Sequence, residues 1–240
     1  VVDVNLGRRL LAELVGTGLL VTVVVGSGIA AQRLSPDDAG LQLLENSIAT
    51  ALGLAVLILL FGPVSGAHFN PVVSLADWLL GRAGGTGLRG AQVLAYAVAQ
   101  VGGGVLGAVL ANVMYSLDAV QVADTERVSG GVLVGEVVAT AGLVALIFAL
   151  ARSGRAAQSA AAVGAYIGSA YWFTSSTSFA NPAVTVGRVF SDTFAGIAPS
   201  SVLAFVLAQL VGGGVGVGLV RALYPDVGAT ADDAVVPHPR

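Results

Sequence analysis

The apolar residues of this chain fall into six runs long enough to cross a membrane and two that are too short, and this pattern constrains the fold more than any other feature. The long runs extend roughly from Leu10 to Ala30, Leu41 to Phe61, Ala91 to Tyr115, Val132 to Ala151, Ala156 to Phe173 and Ser200 to Leu223. A hydrocarbon core of about 30 Å takes roughly 20 apolar residues at about 1.5 Å rise each, so all six read as transmembrane helices. Asn70 to Leu80 and Asn181 to Phe190 are too short for that. Irregular backbone is not tolerated against lipid, so these two read as re-entrant half-helices buried in protein or lining a wet cavity.

Composition fits a membrane class and excludes several functions. Of 240 residues 55% are hydrophobic and 10% charged, too few charges to cover a water-facing surface. One transmembrane channel domain is expected over residues 1–225, with an acidic, disordered cytoplasmic tail over 226–240. There is no cysteine, so disulfides, thiolate metal sites and cysteine nucleophiles are excluded. The net charge of −3 is scattered and no basic run points to nucleic acid. An intramembrane enzyme needs a nucleophile with a base, or a metal cluster, and a single membrane histidine supplies neither. No cofactor and no metal site are expected.

The two halves repeat, over about residues 8–116 and 131–223. Leu11-Ala-Glu-Leu-Val-Gly16 echoes Val134-Gly-Glu-Val-Val-Ala139, and His68-Phe-Asn-Pro-Val-Val-Ser74 echoes Phe179-Ala-Asn-Pro-Ala-Val-Thr185. Ala99-Gln-Val-Gly-Gly-Gly104 echoes Ala208-Gln-Leu-Val-Gly-Gly-Gly214. Three spans per half is an odd number, so the second copy is inverted relative to the first. The fold class is therefore an all-α membrane protein of six transmembrane helices plus two re-entrant half-helices.

Arginines set the expected orientation, since the chain has no lysine. With the N-terminus inside, Arg8, Arg9, Arg82, Arg89, Arg152, Arg155, Arg221 and Arg240 are cytoplasmic, and Arg33, Arg127 and Arg188 lie outside. That bias predicts both termini on the cytoplasmic side of the cell inner (plasma) membrane. The first run, behind Arg8 and Arg9 and ending in Ala30-Ala31, also has the outline of a cleaved signal peptide. Its internal Glu13 and its pairing with the fourth run mark it as a structural helix instead.

Asn70-Pro71-Val72 and Asn181-Pro182-Ala183 carry the chemistry. Asn is a preferred N-cap and Pro fits the first helical position, where its missing N–H is no loss. Both half-helices should start there, and inversion should bring the two starts face to face near the midplane. Their partial positive charges would repel cations and protons. Each carboxamide can spend its oxygen on the cap and point its NH₂ into the lumen, a donor for one passing neutral molecule.

Ser65-Gly-Ala-His-Phe-Asn-Pro-Val-Val-Ser74 and Ser178-Phe-Ala-Asn-Pro-Ala-Val-Thr185 resemble the two signature loops of the major intrinsic protein family, the aquaporins and aquaglyceroporins. The resemblance covers roughly residues 8 to 223 and implies a homotetramer in membrane lipid, one pore per subunit, passing small neutral solutes. The first signature departs by carrying Val72 for alanine, a change expected to affect packing of the half-helices more than the pore. The second departure is Val184, where the family usually has an arginine in its filter. Arg188, one turn further on, is expected at the mouth or among lipid headgroups, with contact to the pore as the alternative. Counting at the family's spacing without gaps, the other filter positions fall on Thr50, Ser169 and Ser178. Four small uncharged residues imply a wide, fairly polar constriction. Trp172 to Val184 also resembles a bacterial branch of the family associated with arsenic handling, and neutral arsenite is a hydroxide about the size of glycerol.

Glu13 and Glu136 sit at matching places inside the first and fourth runs, where an ionisable group is costly. A proton relay is one reading. The resemblance implies the other, that they accept hydrogen bonds from the re-entrant loops and aim the loop carbonyls at the pore. Gln100 and Gln209 are expected to bond the half-helices. His68 is expected to be structural near the cytoplasmic vestibule, with pH gating as the alternative. A secondary transporter is the rival to a passive channel, and would have only Glu13 and Glu136 as coupling ligands.

Overall fold

The computed structural model of the chain describes residues 4–225. The predicted disordered tail, with Arg240, lies outside the described residues.

Eight α-helices form among the described residues, in the order the apolar runs dictate. The first three are α1 (Leu6–Leu34), α2 (Ala39–Ser65) and the half-helix α3 (Pro71–Gly81). Then come α4 (Gly90–Met114), α5 (Gly130–Arg152), α6 (Ser159–Phe173), the half-helix α7 (Pro182–Gly187) and α8 (Pro199–Leu223). Caps fix the starts. Asn5 accepts from the Arg8 N–H at 3.0 Å and Asp38 from the Leu41 N–H at 2.9 Å, each satisfying a donor that the first turn leaves open.

Two elements differ from expectation. Five helices, α1, α2, α4, α5 and α8, are long and apolar enough to span on their own. The fifth run breaks, with a 3₁₀ turn over Ala156–Gln158 leading into the 15-residue α6. At about 1.5 Å per α-residue and about 2 Å per 3₁₀ residue the pair still reaches roughly 28 Å, close to the hydrocarbon thickness. The second half-helix is also shorter than expected: α7 has six residues and tightens into a 3₁₀ turn at Arg188–Phe190.

Helix pairing follows the inverted repeat. α1 packs on α4 as α5 packs on α8, and both half-helices are held between α4 and α8. Glycine permits this. A Cβ on Gly103 would collide with the Leu14 carbonyl and one on Gly107 with that of Gly18. In the other half a Cβ on Gly212 would lie 2.6 Å from the Val137 oxygen, and one on Gly216 2.7 Å from that of Ala141. In a bilayer, where lipid is as apolar as leucine, such close backbone approach is a main source of helix association.

The two glycine triplets start one position apart relative to their glutamines, but the glycines that make contact fall at the same two places. Counting from Gln100, Gly103 faces α1 and Gly104 faces α7, while Gly102 meets nothing within 4 Å. Counting from Gln209, Gly212 faces α5, Gly213 faces Val72 of α3, and Gly214 meets nothing within 4 Å. A Cβ on Gly213 would collide with Val72 Cγ1, so this glycine accommodates the larger residue of the first signature. Val72 is buried and lies outside the cavity lining described below.

Gly103→Ala and Gly212→Ala should therefore each lower stability by about 1–3 kcal/mol through overpacking against backbone. Gly102→Ala and Gly214→Ala should be neutral or stabilising by up to about 1 kcal/mol, since alanine suits a helix better than glycine. Thermal unfolding in detergent compares the four, and equal effects across the set would contradict the assignment.

Candidate functional site: the cavity between the half-helices

The site is built on the two Asn-Pro corners. Asn70 has extended backbone, and its Oδ1 accepts from the Val72 N–H at 3.0 Å, with Pro71 in the first turn of α3. Asn181 matches it, with Oδ1 accepting from the Ala183 N–H at 2.9 Å and, more weakly, from Val184 at 3.3 Å. The carboxamides do not point wholly into the lumen as expected. Each donates one N–H across the pseudo-two-fold axis: Asn70 Nδ2 to the Ala180 oxygen at 2.7 Å, and Asn181 Nδ2 to the Phe69 oxygen at 2.8 Å. One N–H per asparagine remains for the cavity. The crossed bonds stitch the repeats together at the corners themselves.

The loops before each corner are strained. Ala67 and Phe69 have φ of +48° and +49°, and Thr177, Ser178 and Ala180 have +59°, +52° and +48°. Left-handed backbone at non-glycine residues costs of order 1–3 kcal/mol each and persists only where the surroundings enforce it. A buried carboxylate does so in each half. Glu13 accepts from the N–H groups of His68 (3.0 Å) and Phe69 (2.7 Å), Ser65 Oγ (2.6 Å) and Gln100 Nε2 (2.7 Å). Glu136 accepts from the N–H groups of Phe179 and Ala180, both at 2.9 Å, and from Gln209 Nε2 at 2.6 Å. Each glutamine also donates to its half-helix, Gln100 to Ser74 Oγ at 3.1 Å and Gln209 to Thr185 Oγ1 at 2.9 Å. In a planar trans peptide the N–H and the preceding C=O point opposite ways. Turning the N–H of residues 68, 69, 179 and 180 onto glutamate therefore turns the carbonyls of 67, 68, 178 and 179 away from it.

The residues of both loops line a cavity that touches both corners. Gly66, Ala67, His68, Phe69 and Asn70 line it from the first loop, and Ser178, Phe179, Ala180 and Asn181 from the second. The facing wall is apolar, with Leu20, Val24, Leu54 and Ile58 among its residues. Along α6 the lining runs from Ser159 through Val163 and Ile167 to Tyr171, a stretch of about 18 Å at 1.5 Å per residue. The cavity has a volume of about 70 Å³, well above the roughly 10–15 Å³ that a cavity needs to hold a water.

The predicted filter residues are only partly brought together. Thr50, Ser178 and Val184 line the cavity and are buried. Ser169 does not: it is exposed on the outer side of α6, its hydroxyl spent on the Tyr166 carbonyl at 2.8 Å. Val163, Ile167 and Tyr171 recur every four residues and mark the inner face, and Ser169 falls about 200° from its neighbours in that series. Tyr171 lines the cavity, its hydroxyl 3.2 Å from Thr50 Oγ1.

Arg188 corrects the expectation of a mouth residue. It is buried, lines the cavity, and holds its guanidinium carbon 3.5 Å from the centre of the Phe179 ring. Helical side chains lean toward the N-terminus, so a long side chain one turn beyond Val184 reaches back to its level. Its Nε donates to the Ala195 oxygen. Arg127, expected from the sequence only as an outside-facing charge, stands behind it, donating from Nε to Gly196 (2.6 Å) and from Nη2 to Phe194 (2.9 Å). Three successive carbonyls thus hold two guanidiniums around one ring. Burial pushes Arg127 below the ordinary arginine value, yet arginine keeps its proton in proteins. Its loop is fastened to α8, where Glu126 accepts from Ser200 and Ser201, bonds that lower its carboxyl below the usual range.

His68 occupies in the first half the place that Phe179 holds in the second. Its Nδ1 lies 3.0 Å from Ser74 Oγ and its ring 5.4 Å from that of Tyr96. Among the described residues no group of three His, Cys, Asp or Glu could hold a metal ion.

The chain is similar to known proteins in sequence and in fold. A family model described as major intrinsic protein matches residues 1–178. The aquaglyceroporin AqpS of Rhizobium meliloti (strain 1021) is 47% identical over 221 residues, covering 92% of this chain and 92% of that protein. The glycerol uptake facilitator protein of Pseudomonas aeruginosa is 38% identical over 112 residues, 47% of this chain and 37% of that protein. In fold the chain matches the X-ray structure of the aquaglyceroporin from Plasmodium falciparum, with a TM-score of 0.66 at 20% identity over 93% of this chain and 97% of that one. On the family match and a relative similar over nearly its whole length, the chain belongs to the major intrinsic protein family, and is a multi-pass membrane channel and not an enzyme.

Proposed function

We propose that the protein is a passive channel for glycerol-sized polyols, for neutral metalloid hydroxides such as arsenite, and for water. The observation that carries this reading is the two-sided cavity. Loop carbonyls and the remaining asparagine N–H groups offer hydrogen bonds on one side, and Leu20, Val24, Leu54 and Ile58 present hydrocarbon on the other. A polyol has hydroxyls on one edge and carbon on the other, so it can exchange its water shell for this lining without an unpaired group. Neutral arsenite presents hydroxyls of similar size. Similarity to an aquaglyceroporin and to a glycerol facilitator supports the same class of solute. Tyr171 and Arg188 make the outer end narrower and more polar than four small residues would, so selectivity rests on donors as well as width.

Glu13 and Glu136 support passive flux over coupled transport, because both carboxylates are filled by loop and glutamine donors and neither is among the cavity-lining residues. Those contacts give them a loop-supporting role. The expected setting is the inner (plasma) membrane, with lipid around a homotetramer and both termini cytoplasmic.

Stopped-flow light scattering on proteoliposomes should show glycerol and neutral arsenite entering faster than in empty vesicles, without saturation and without an ion gradient. Val184→Arg adds a second long cation to the lining and should slow both by about tenfold, a barrier increment of about 1.4 kcal/mol, while water flux persists. Gradient-dependent, saturable uptake would favour the transporter reading, and no passage of either solute would overturn the polyol reading. For orientation, the cysteine-free chain allows single Ser153→Cys and Val120→Cys variants, both on exposed loop positions. An impermeant maleimide applied to intact cells should label the second and spare the first, and the reverse pattern would invert the topology.

A further inference from the structure

Among the described residues Arg188 is the only arginine lining the cavity, and no Asp or Glu lines it. Among the described residues its recorded hydrogen-bond acceptor is the Ala195 carbonyl, reached through Nε, and its π-face rests on Phe179. Those two contacts fix the plane of the guanidinium. Neither Nη is among the sealed nitrogens that lack a partner, and the side chain belongs to the cavity wall. The same cavity is lined by Tyr171 and Thr50, whose hydroxyls pair at 3.2 Å, and by Ser178, whose hydroxyl is sealed without a protein partner.

We propose that Arg188 is the specificity-determining cation of this channel, delivered from the turn after α7 to the level where Val184 leaves hydrocarbon. This rests on reading the cavity as the permeation path. Anchored at Nε and at its face, the guanidinium keeps its Nη–H donors fixed toward a passing hydroxyl, so a neutral solute finds donors without reorganisation. A cation at the same level meets a like charge with no carboxylate on the lining; Glu136, which acts on Arg188 electrostatically, lies off the lining with its oxygens filled by Phe179, Ala180 and Gln209. Arg127 holds the carbonyls on either side of Ala195, and Phe179 is a positioning residue for the guanidinium. The alternative is that Arg188 only braces the 194–196 segment.

The two roles separate in proteoliposomes carrying wild type, Arg188→Met and the swap Val184→Arg/Arg188→Met, with water, glycerol and methylammonium as probes. Arg188→Met should raise methylammonium permeability by about a hundredfold, the weight of a like charge about 6 Å away at an effective dielectric constant of about 20. Water and glycerol should still pass. The swap should restore exclusion of methylammonium by returning a cation to the same level without the Ala195 bond. Unchanged methylammonium exclusion in Arg188→Met overturns the assignment, as does a swap that assembles and leaks. Failure of both variants to assemble, read by gel filtration, shows a bracing role and also overturns it. A wild type that passes neither water nor glycerol defeats the permeation path itself, a different outcome from a conducting wild type whose cation exclusion ignores residue 188.

Discussion

Two carboxylates buried in the first and fifth helices hold the whole centre of the molecule in place. The loops ahead of Asn70 and Asn181 take left-handed backbone at Ala67, Phe69, Thr177, Ser178 and Ala180, which such residues resist. Glu13 and Glu136 enforce it by accepting consecutive loop N–H groups at 2.7–3.0 Å. Hydrogen bonds to an ionised acceptor are worth about 1.5–3 kcal/mol each, enough to offset strain of the same order. Once the loops are set, their residues line the cavity, the asparagines reach across the axis, and the half-helices start where their prolines allow. Removing either carboxylate would leave strain and unpaired N–H groups together.

The inverted repeat is close at this centre and diverges outward. Gln100 and Gln209 bridge glutamate and half-helix in the same way, through Ser74 and Thr185. Two residues before each asparagine the halves part. His68 turns its ring to Ser74 and Tyr96, whereas Phe179 offers its faces to Arg188 and Arg127. The two ends of one cavity thus differ in chemistry although their backbones match. An electrostatic barrier built at the Phe179 end acts on solutes from one side before they reach the asparagines.

Much of the fold was legible because its signals are local. Cap residues, the lengths of apolar runs and the echo between halves each depend on a few neighbouring positions, and the Asn-Pro corners fell where the spacing placed them. Features set by long-range contact were not. Ser169 was reached by counting across the irregular stretch from Thr174 to Ala180, where an assumption of no gaps has nothing to support it. The four-residue recurrence of Val163, Ile167 and Tyr171 was the available signal for the inner face. Arg127 had no local signal, since its partners lie about 70 residues away along the chain. For the glycine triplets the available signal was the count from Gln100 and Gln209, which pairs Gly103 with Gly212 and Gly104 with Gly213 and leaves Gly102 and Gly214 unmatched.

Arg188 shows why position along a half-helix is a poor guide to position in a cavity. At about 1.5 Å per residue, four residues displace its Cα by about 6 Å from that of Val184, which argued for a place at the mouth. An arginine side chain spans a similar distance and leans back along the helix, so backbone displacement and side-chain reach nearly cancel. What decides between mouth and cavity is whether something receives the guanidinium at the inner position. Phe179 supplies an aromatic face and Ala195 a carbonyl there. The ring sits two residues before Asn181, in a loop that Glu136 already holds rigid. The cation is therefore positioned by the same carboxylate that aims the loop carbonyls, so that donors and charge at this end of the cavity share one support.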